Sequence, residues 1–460
     1  MPPRLLAAVA DTPDPDDALT QLERVSASLG AKAVLWELFS QHPACLQLYV
    51  ELCASSPFLS GLLINNPGMI DELLDSLVLN QPRTAAELRA ELAELCRGAD
   101  DPEPILHSFQ DKELLRIGVS DLLGRFTIRQ TTAALSDLAE TILLQIIDLV
   151  EPQIQRRWGI PLHPDRGVGE PCAYVLLGLG KLGGREISYH SDLDLLLLYE
   201  ADGQTTEGQA NSVYFTELVR AIIRRASHMG PWGRLYAVDM RLRPTGKSGA
   251  LVLPLSEFRR YFAQPDCQDW ERQALTRARV LRGPPPLCQA MHALLREALF
   301  ARPWTAESLD AWEAMRRKLE INASPRNLKR APGGLADVEF LVQLMQMKHG
   351  AHYPSILQPN VWDALDALED QRLIESGELA VLRAGYSFLR LVEARLRIVT
   401  DRPLNELPED PAELTRLARR LGYPRLESFW DDWRRHTTAI RRCYQSLLWQ
   451  ERRSRSKSSD

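Results

Sequence analysis

The sequence lacks any apolar run approaching the roughly 18 residues that a membrane-spanning helix needs. The stretch LLAAVA at 5–10 is too short for a signal core, and acids follow it closely. Paired C-x-x-C spacing is missing too. The seven cysteines (Cys45, Cys53, Cys96, Cys172, Cys267, Cys288 and Cys443) are scattered and odd in number, which reads as reduced thiols without a disulfide framework. The nine histidines form no metal-type cluster. A net charge of −6 gives no global field toward nucleic acid or an anionic membrane, and no aromatic-basic stacking groove is evident. The expectation is a cytoplasmic protein with neither nucleic acid nor membrane as a partner.

What is present is an ordinary globular composition, 45% hydrophobic and 25% charged, over 460 residues, enough for roughly three domains. Residues 1–16 are rich in Pro and Asp and read as a disordered arm. Residues 17–165 follow helical spacing. Ser56 is placed to cap a helix that starts at Pro57, and Asn65, Asn66, Pro67 and Gly68 break it. A further amphipathic segment is expected over Met69–Leu77. DKELLRIGVSDLLGRF and ALSDLAETILLQIIDLV also carry apolar residues at helical steps.

The period changes over 166–289. AYVLLGLG (173–180) and SDLDLLLLY (191–199) are apolar runs suited to buried strands, and residues 213–226 follow helical steps. RLYAVDMRLRP (234–244) alternates strictly, which predicts a strand with Asp239, Arg241 and Arg243 on one face. Such a unit is a compact α/β or α+β domain. Over 290–450 helices return as a bundle, interrupted by the turn-like ASPRNLKRAPGGLADVEF (323–340), and 451–460 reads as a disordered tail.

In a strand, positions i and i+2 face the same way, so Asp192 and Asp194 present two carboxylates side by side. Asp239, on another strand, supplies a third. Clustered carboxylates repel one another unless cations intervene. Hard oxygen ligands of this kind suit Mg2+, which shares its coordination with phosphates. A lone D-x-D is weak evidence, since two solvated acids at a strand end look the same. The stretch GLGKLGG upstream sharpens it. Gly180, Gly183 and Gly184 let backbone N–H groups approach phosphate oxygens, and Lys181 adds positive charge. The spacing is neither a Walker A loop nor a full dinucleotide fingerprint, because Ser-Asp-Leu-Asp opens the next strand.

The pattern G-x-x-x-G…S-D-x-D with a third strand Asp resembles the nucleotidyltransferase superfamily typified by polymerase beta. The strings GLGKLGGREISYHSDLDL, VDMRLRPTGKSGALV, DWERQALTRARV and KRAPGGLADVEFLVQ resemble the glutamine synthetase adenylyltransferase family, and the likeness extends over most of residues 20–450. It implies a mainly α protein with an inserted α+β polymerase-beta-type nucleotidyltransferase domain flanked by helical domains. Members carry two similar halves, one removing AMP from glutamine synthetase by phosphorolysis and one adding AMP from ATP to a tyrosine of it. One such half is present here. QALTRARV and Asp337 resemble the C-terminal, AMP-adding half, whereas Met240 in VDMRLRP is also common in the removing half.

The resemblance implies that Asp192 and Asp194 bind two Mg2+ ions and the phosphates of ATP as substrate. Asp239 would bind the metal nearer the nucleophile and help deprotonate the acceptor tyrosine. Gly180, Lys181, Gly183 and Gly184 would hold the triphosphate, although the superfamily commonly has Ser where Lys181 stands. Ser191 either shapes the turn into the metal strand beside the cofactor or is a plain turn residue. Arg241 and Arg243 either stabilise the transferring phosphate and pyrophosphate or neutralise the carboxylates. Trp270, Glu271 and Arg277 either line the nucleotide pocket or pack beside it, with packing the preferred reading. His190 is a neighbour rather than a base. Lys329, Gly333, Gly334, Asp337 and Glu339 form a distinctive turn and helix start without an assigned role. The implied partners are glutamine synthetase and a PII-type signal protein, in the regulation of nitrogen assimilation. A phosphorolytic enzyme and a non-catalytic regulatory module binding the same partners are the alternatives.

Overall fold

Short polar signals set the helix boundaries. The computed structural model describes residues 2–28, 32–69, 82–167, 169–265 and 267–456. Helices α1 (Pro2–Ala10), α2 (Pro15–Ser28), α3 (Lys32–Gln41), α4 (Pro43–Ser55) and α5 (Pro57–Asn65) open the chain. Ser56 caps α5 by accepting from the Leu59 N–H at 3.1 Å, with Pro57 at the first helical position. Capping boxes at Thr84 and Thr127 start α6 (Ala85–Cys96) and α8 (Ile128–Trp158), with α7 (Glu103–Leu122) between them. Gly159, at φ +76, ends α8.

Two expectations at the chain ends are corrected. The supposed arm over 1–16 contains α1 and the start of α2. Val9 is buried with Leu5 and Ala8 packed nearby, and Asp14 caps α2 by accepting from the Asp17 N–H at 3.2 Å. The supposed tail continues as helix to Ser456, where Arg452 bonds Asp310 and Glu313. In the expected helix Met69–Leu77, residues 70–77 lie outside the described residues.

The sheet is small and mixed within a mainly helical protein. Its strands are β1 (Tyr174–Gly178), β2 (Leu193–Tyr199), β3 (Val238–Asp239), β4 (Leu253–Pro254) and β5 (Arg279–Arg282). β1 pairs antiparallel with β2 and β5, while β3 and β4 pair in parallel with the two ends of β2. Both faces are covered, which is why these strands read as continuous apolar runs rather than alternating ones. Leu176, Leu195 and Leu197 join the core built on α8 and α10 (Asn211–Ser227). Val175, Leu177, Leu196 and Leu198 join the opposite core. The latter is completed by α13 (Pro285–Leu299), α15 (Leu335–His349), α16 (Val361–Asp370), α17 (Ser376–Thr400) and α19 (Leu426–Ser456).

The long strand expected over 234–244 shrinks to Val238–Asp239. The Asp239 carboxylate accepts the Arg241 N–H at 2.8 Å, and the Gly246 N–H bonds the Arg243 carbonyl at 2.9 Å. These local bonds turn the chain and take the place of ladder pairing. Among the described residues no single helix is long and apolar enough to cross a membrane.

Ser56 also joins the two ends of the chain, because its hydroxyl donates to the buried Ile398 carbonyl on α17 at 2.9 Å. Ser56→Ala removes the cap and orphans that carbonyl. A loss of about 1–3 kcal/mol is expected, read as a lower denaturant midpoint at unchanged slope.

Candidate active site

β2 and β3 run parallel with Asp194 in register with Asp239, so two carboxylates stand side by side at the mouth of the sheet. Asp192 precedes β2 by one residue and lines the same cleft, a cavity of about 740 Å3. Burial, then Asp192 and Asp239, push the Asp194 carboxyl up to about 7. Gly180, at φ +52, passes so close that a Cβ there would lie 2.4 Å from Asp194 Oδ2. Glycine is therefore required at this point for two reasons, its backbone angle and its clearance.

The cleft differs from expectation in several ways. Gly183 and Gly184 do not line it. A Cβ on Gly183 would meet the Arg277 carbonyl oxygen at 1.8 Å, and one on Gly184 would meet the Arg277 guanidinium at 2.4 Å. These two glycines admit Arg277 rather than phosphate. Arg241 does not lie beside Asp239 on a strand face. It turns back and holds that carboxylate through Nε at 2.9 and 2.7 Å, which keeps Asp239 below the usual carboxylate range. Arg243 points elsewhere, donating to the carbonyls of Met240 at 2.6 Å and Gly249 at 3.2 Å. Ser191 does shape the turn, since its hydroxyl accepts from the Ser188 N–H at 3.0 Å and from Arg397 at 3.1 Å.

Lys181 lines the cleft, but its ammonium is engaged by Glu393 at 2.9 Å. Burial and then Arg390 pull the Lys181 ammonium below its ordinary range. Glu393 is fully buried and also meets Arg390 at 2.5 Å and Arg397 at 3.0 Å. Burial opposes its ionisation, yet Arg390, Lys181 and Arg397 outweigh it and hold the carboxyl well below the usual range. Glu186, also fully buried, takes Arg277 at 2.9 Å and bonds Tyr386. Arg277 in turn donates to the Gly180 carbonyl at 3.0 Å. Sequence reading missed this network. Its one local signal was charge at helical steps, Arg390, Glu393 and Arg397, inside an apolar helix.

The turn after 323 now has a physical explanation. Asp337 is buried and accepts from Arg316 at 2.6 Å, from the Gly333 N–H at 2.7 Å and from Arg441 at 3.2 Å. Gly333, at φ +76, packs on the Thr437 carbonyl, where a Cβ would come within 1.9 Å. The turn so fixed presents Lys329 to the cleft, and α15, which starts from it, presents Glu339. Trp270 and Arg277 line it as well, whereas Glu271 is buried on Tyr261. His190 sits at the rim, edge-on to Phe58 at 4.7 Å.

In donor type the carboxylates fit a hard divalent cation, and their mutual repulsion is the expected sign of such a site. Among the described residues no three His, Cys, Asp or Glu side chains already converge as a ligand set. Arg241 occupies the Asp239 carboxylate that would be needed.

A second cavity of about 490 Å3 shares His190, Ser191, Arg234 and Ala237 with the cleft. Its wall carries Asp111, which burial pushes up to about 6 despite a hydrogen bond from Asn66.

The family model described as glutamate-ammonia ligase adenylyltransferase matches residues 46–293. The chain belongs to that family. A second model, described as GlnD PII-uridylyltransferase, matches residues 305–448. A bifunctional glutamine synthetase adenylyltransferase/adenylyl-removing enzyme of Pseudomonas aeruginosa is 34% identical over 427 residues, covering 86% of this chain and 43% of the relative. Proteins of the same name from Thioalkalivibrio sulfidiphilus and Pseudomonas putida are 34% and 30% identical, over 82% and 86% of this chain and 40% and 41% of theirs. The chain thus spans less than half the length of these relatives.

Two outcomes test the site's electrostatics. Lys181→Met leaves Glu393 short of one cation, so stability is expected to fall on the order of 3 kcal/mol, with partial recovery in Lys181→Met/Glu393→Gln. A phosphate-holding lysine would lower nucleotide affinity instead and leave the melting curve unmoved. For Asp111, the folded value lies above the ordinary carboxylate value near 4. Its contribution is full below about pH 4 and is lost as pH rises through about 6. Relative to Asp111→Asn, the parent is expected to lose stability between pH 4 and 7 in denaturant titrations.

Proposed function

We propose that the chain is an adenylyltransferase that moves AMP from ATP to a tyrosine of glutamine synthetase, on a polymerase-beta-type nucleotidyltransferase unit flanked by helical regions. The observation that carries this reading is the gathering of Asp192, Asp194 and Asp239 on one cleft with Gly180 against Asp194, in a chain of this family. Asp192, Asp194 and Asp239 would hold Mg2+, two ions in the full reading. Bound there, Mg2+ supplies charge neutralisation at the phosphates and polarisation of the reacting oxygens.

The residues of the chain do the rest. Gly180, Lys329 and Trp270 line the cleft, and the triphosphate would lie along Gly180 and Lys329 with the base against Trp270. The tyrosine oxygen bonds to the α-phosphorus, the bond to the bridging oxygen breaks, and pyrophosphate leaves with that electron pair. The tyrosine proton passes to Asp239. A tyrosine near its ordinary pKa of about 10 needs that acceptor at neutral pH. Asp239 becomes available when Arg241 exchanges it for the phosphates, where a guanidinium stabilises developing charge.

Phosphorolytic removal is the second reading, supported by the adenylyl-removing activity in the relatives' names and by Met240 after Asp239. The resemblance at Asp337 supports addition, although that residue acts through the turn and not in the cleft. The match to the uridylyltransferase model over 305–448 supports a PII-type protein as a partner of the helical region.

Purified chain, labelled ATP and unmodified glutamine synthetase separate these readings. Labelled synthetase is expected. Release of AMP only from adenylylated synthetase with inorganic phosphate would reverse the direction. Asp192→Asn/Asp194→Asn is expected to lower transfer by about a hundredfold or more, with no loss of thermal stability because repulsion is relieved. Full activity in that variant would remove the metal assignment.

A further inference from the structure

The second cavity has the features of a docking chamber. It lies between α5, α7, the turn 187–191 and the hairpin that leads into β3. The hairpin is tied at its root, where the Tyr236 N–H bonds the Ala226 carbonyl at 2.9 Å. It is closed at its tip by a reciprocal pair of bonds between Gly230 and Gly233, at 2.8 and 3.1 Å. This tip holds Trp232 54% exposed, and Met229 beside it is 66% exposed. Large apolar side chains on a braced turn lose little freedom on binding, which is the property of interface anchors.

The interior is mixed, with apolar side chains beside Asp111, Arg234 and Asp401 and with some polar atoms left open. Phe58, Leu62 and Leu114 line it. The Ser188 hydroxyl and His190 Nε2 are buried there without a hydrogen bond among the described residues, and His190 Nε2 stands 3.4 Å from the Asp401 carboxylate on the same wall. Buried polar atoms are rarely left so, and backbone groups of an extended segment would satisfy them. Gly61 lies mid-helix in α5, where glycine costs about 1 kcal/mol against alanine, and a Cβ there would meet nothing within 4 Å. The helix gives up stability at the point where the chamber stays open.

The shared wall fixes what the chamber serves. Gly180 and Lys329 border the cleft only, whereas Arg234 and Ala237 border both cavities and lead directly to Asp239. We infer that this chamber receives the acceptor: an extended segment of the protein substrate, with an apolar residue seated beside Phe58 and Leu62, its surface held on Met229 and Trp232, and its hydroxyl delivered past Ala237 toward Asp239. This rests on the adenylyltransferase reading for the identity of the acceptor, unmodified glutamine synthetase.

Binding and catalysis are measured separately on the full chain. Trp232→Ala/Met229→Ser removes exposed surface only, and Gly61→Leu fills the chamber while favouring the helix. Each is expected to weaken binding of unmodified synthetase at least tenfold by biolayer interferometry and to raise its KM alike. The KM for ATP stays within twofold and the melting temperature does not fall. Parent-level affinity in both variants overturns the chamber, as does a parent chain that does not bind synthetase. A parent chain that binds synthetase through these residues yet transfers no AMP keeps the chamber and overturns the adenylyltransferase reading.

Discussion

Glu393 has no exposed surface, and a carboxylate in that position is tolerated only because Arg390, Lys181 and Arg397 converge on it. Desolvating an unpaired charge costs more than most folds can spare. The pairing therefore dictates where three separate pieces of chain lie. Lys181 comes from the short helix α9 (Gly180–Gly183) after β1, Glu393 from α17, and Arg397 reaches on to the Ser191 hydroxyl before β2. The glycine turn and the aspartate strand are thus both clamped to the same distant helix. Arg277, bridging Glu186 and the Gly180 carbonyl, repeats the arrangement one layer over.

The carboxylates of the cleft sit on top of this clamp, and their environment is opposite in kind. Below, acids are outnumbered by paired cations. In the cleft, burial and then the charges of Asp192 and Asp239 hold Asp194 at about 7. The guanidinium on Asp239, that of Arg241, is itself largely exposed and carried by a turn rather than a strand. An exposed cation over a buried anionic floor is suited to exchange with incoming phosphates and their metal. A buried partner such as Arg390 is suited only to stay.

Much of this was legible in the sequence where the signal was local. Ser56-Pro57 gives a capped helix, the apolar runs give β1 and β2, and the i, i+2 pair at Asp192 and Asp194 with Asp239 gives the anionic wall. The failures have a common cause, that alternation and composition say nothing about what a segment touches. Strict alternation over 234–244 looked like a strand, but Asp239 accepting from Arg241 turned the chain after two residues. Glycines grouped in GLGKLGG looked alike, yet only Gly180 clears Asp194, while Gly183 and Gly184 make room for Arg277 across nearly a hundred residues of chain. Lys181 looked like a phosphate ligand because its partner Glu393 lies 212 positions away. The Pro-rich start looked disordered because Leu5, Ala8 and Val9 find their apolar partners only in the folded core.

The cleft, the clamp and the family membership together support transfer of the α-phosphoryl adenosine portion of ATP to a protein hydroxyl. Parallel reactions with ATP labelled at the α- and γ-phosphate test that directly. Label from the α-position on glutamine synthetase, matched by one equivalent of pyrophosphate and with no γ-label on the protein, is the expected result. Label from the γ-position on the protein, or no label from either under metal-replete conditions, would contradict it.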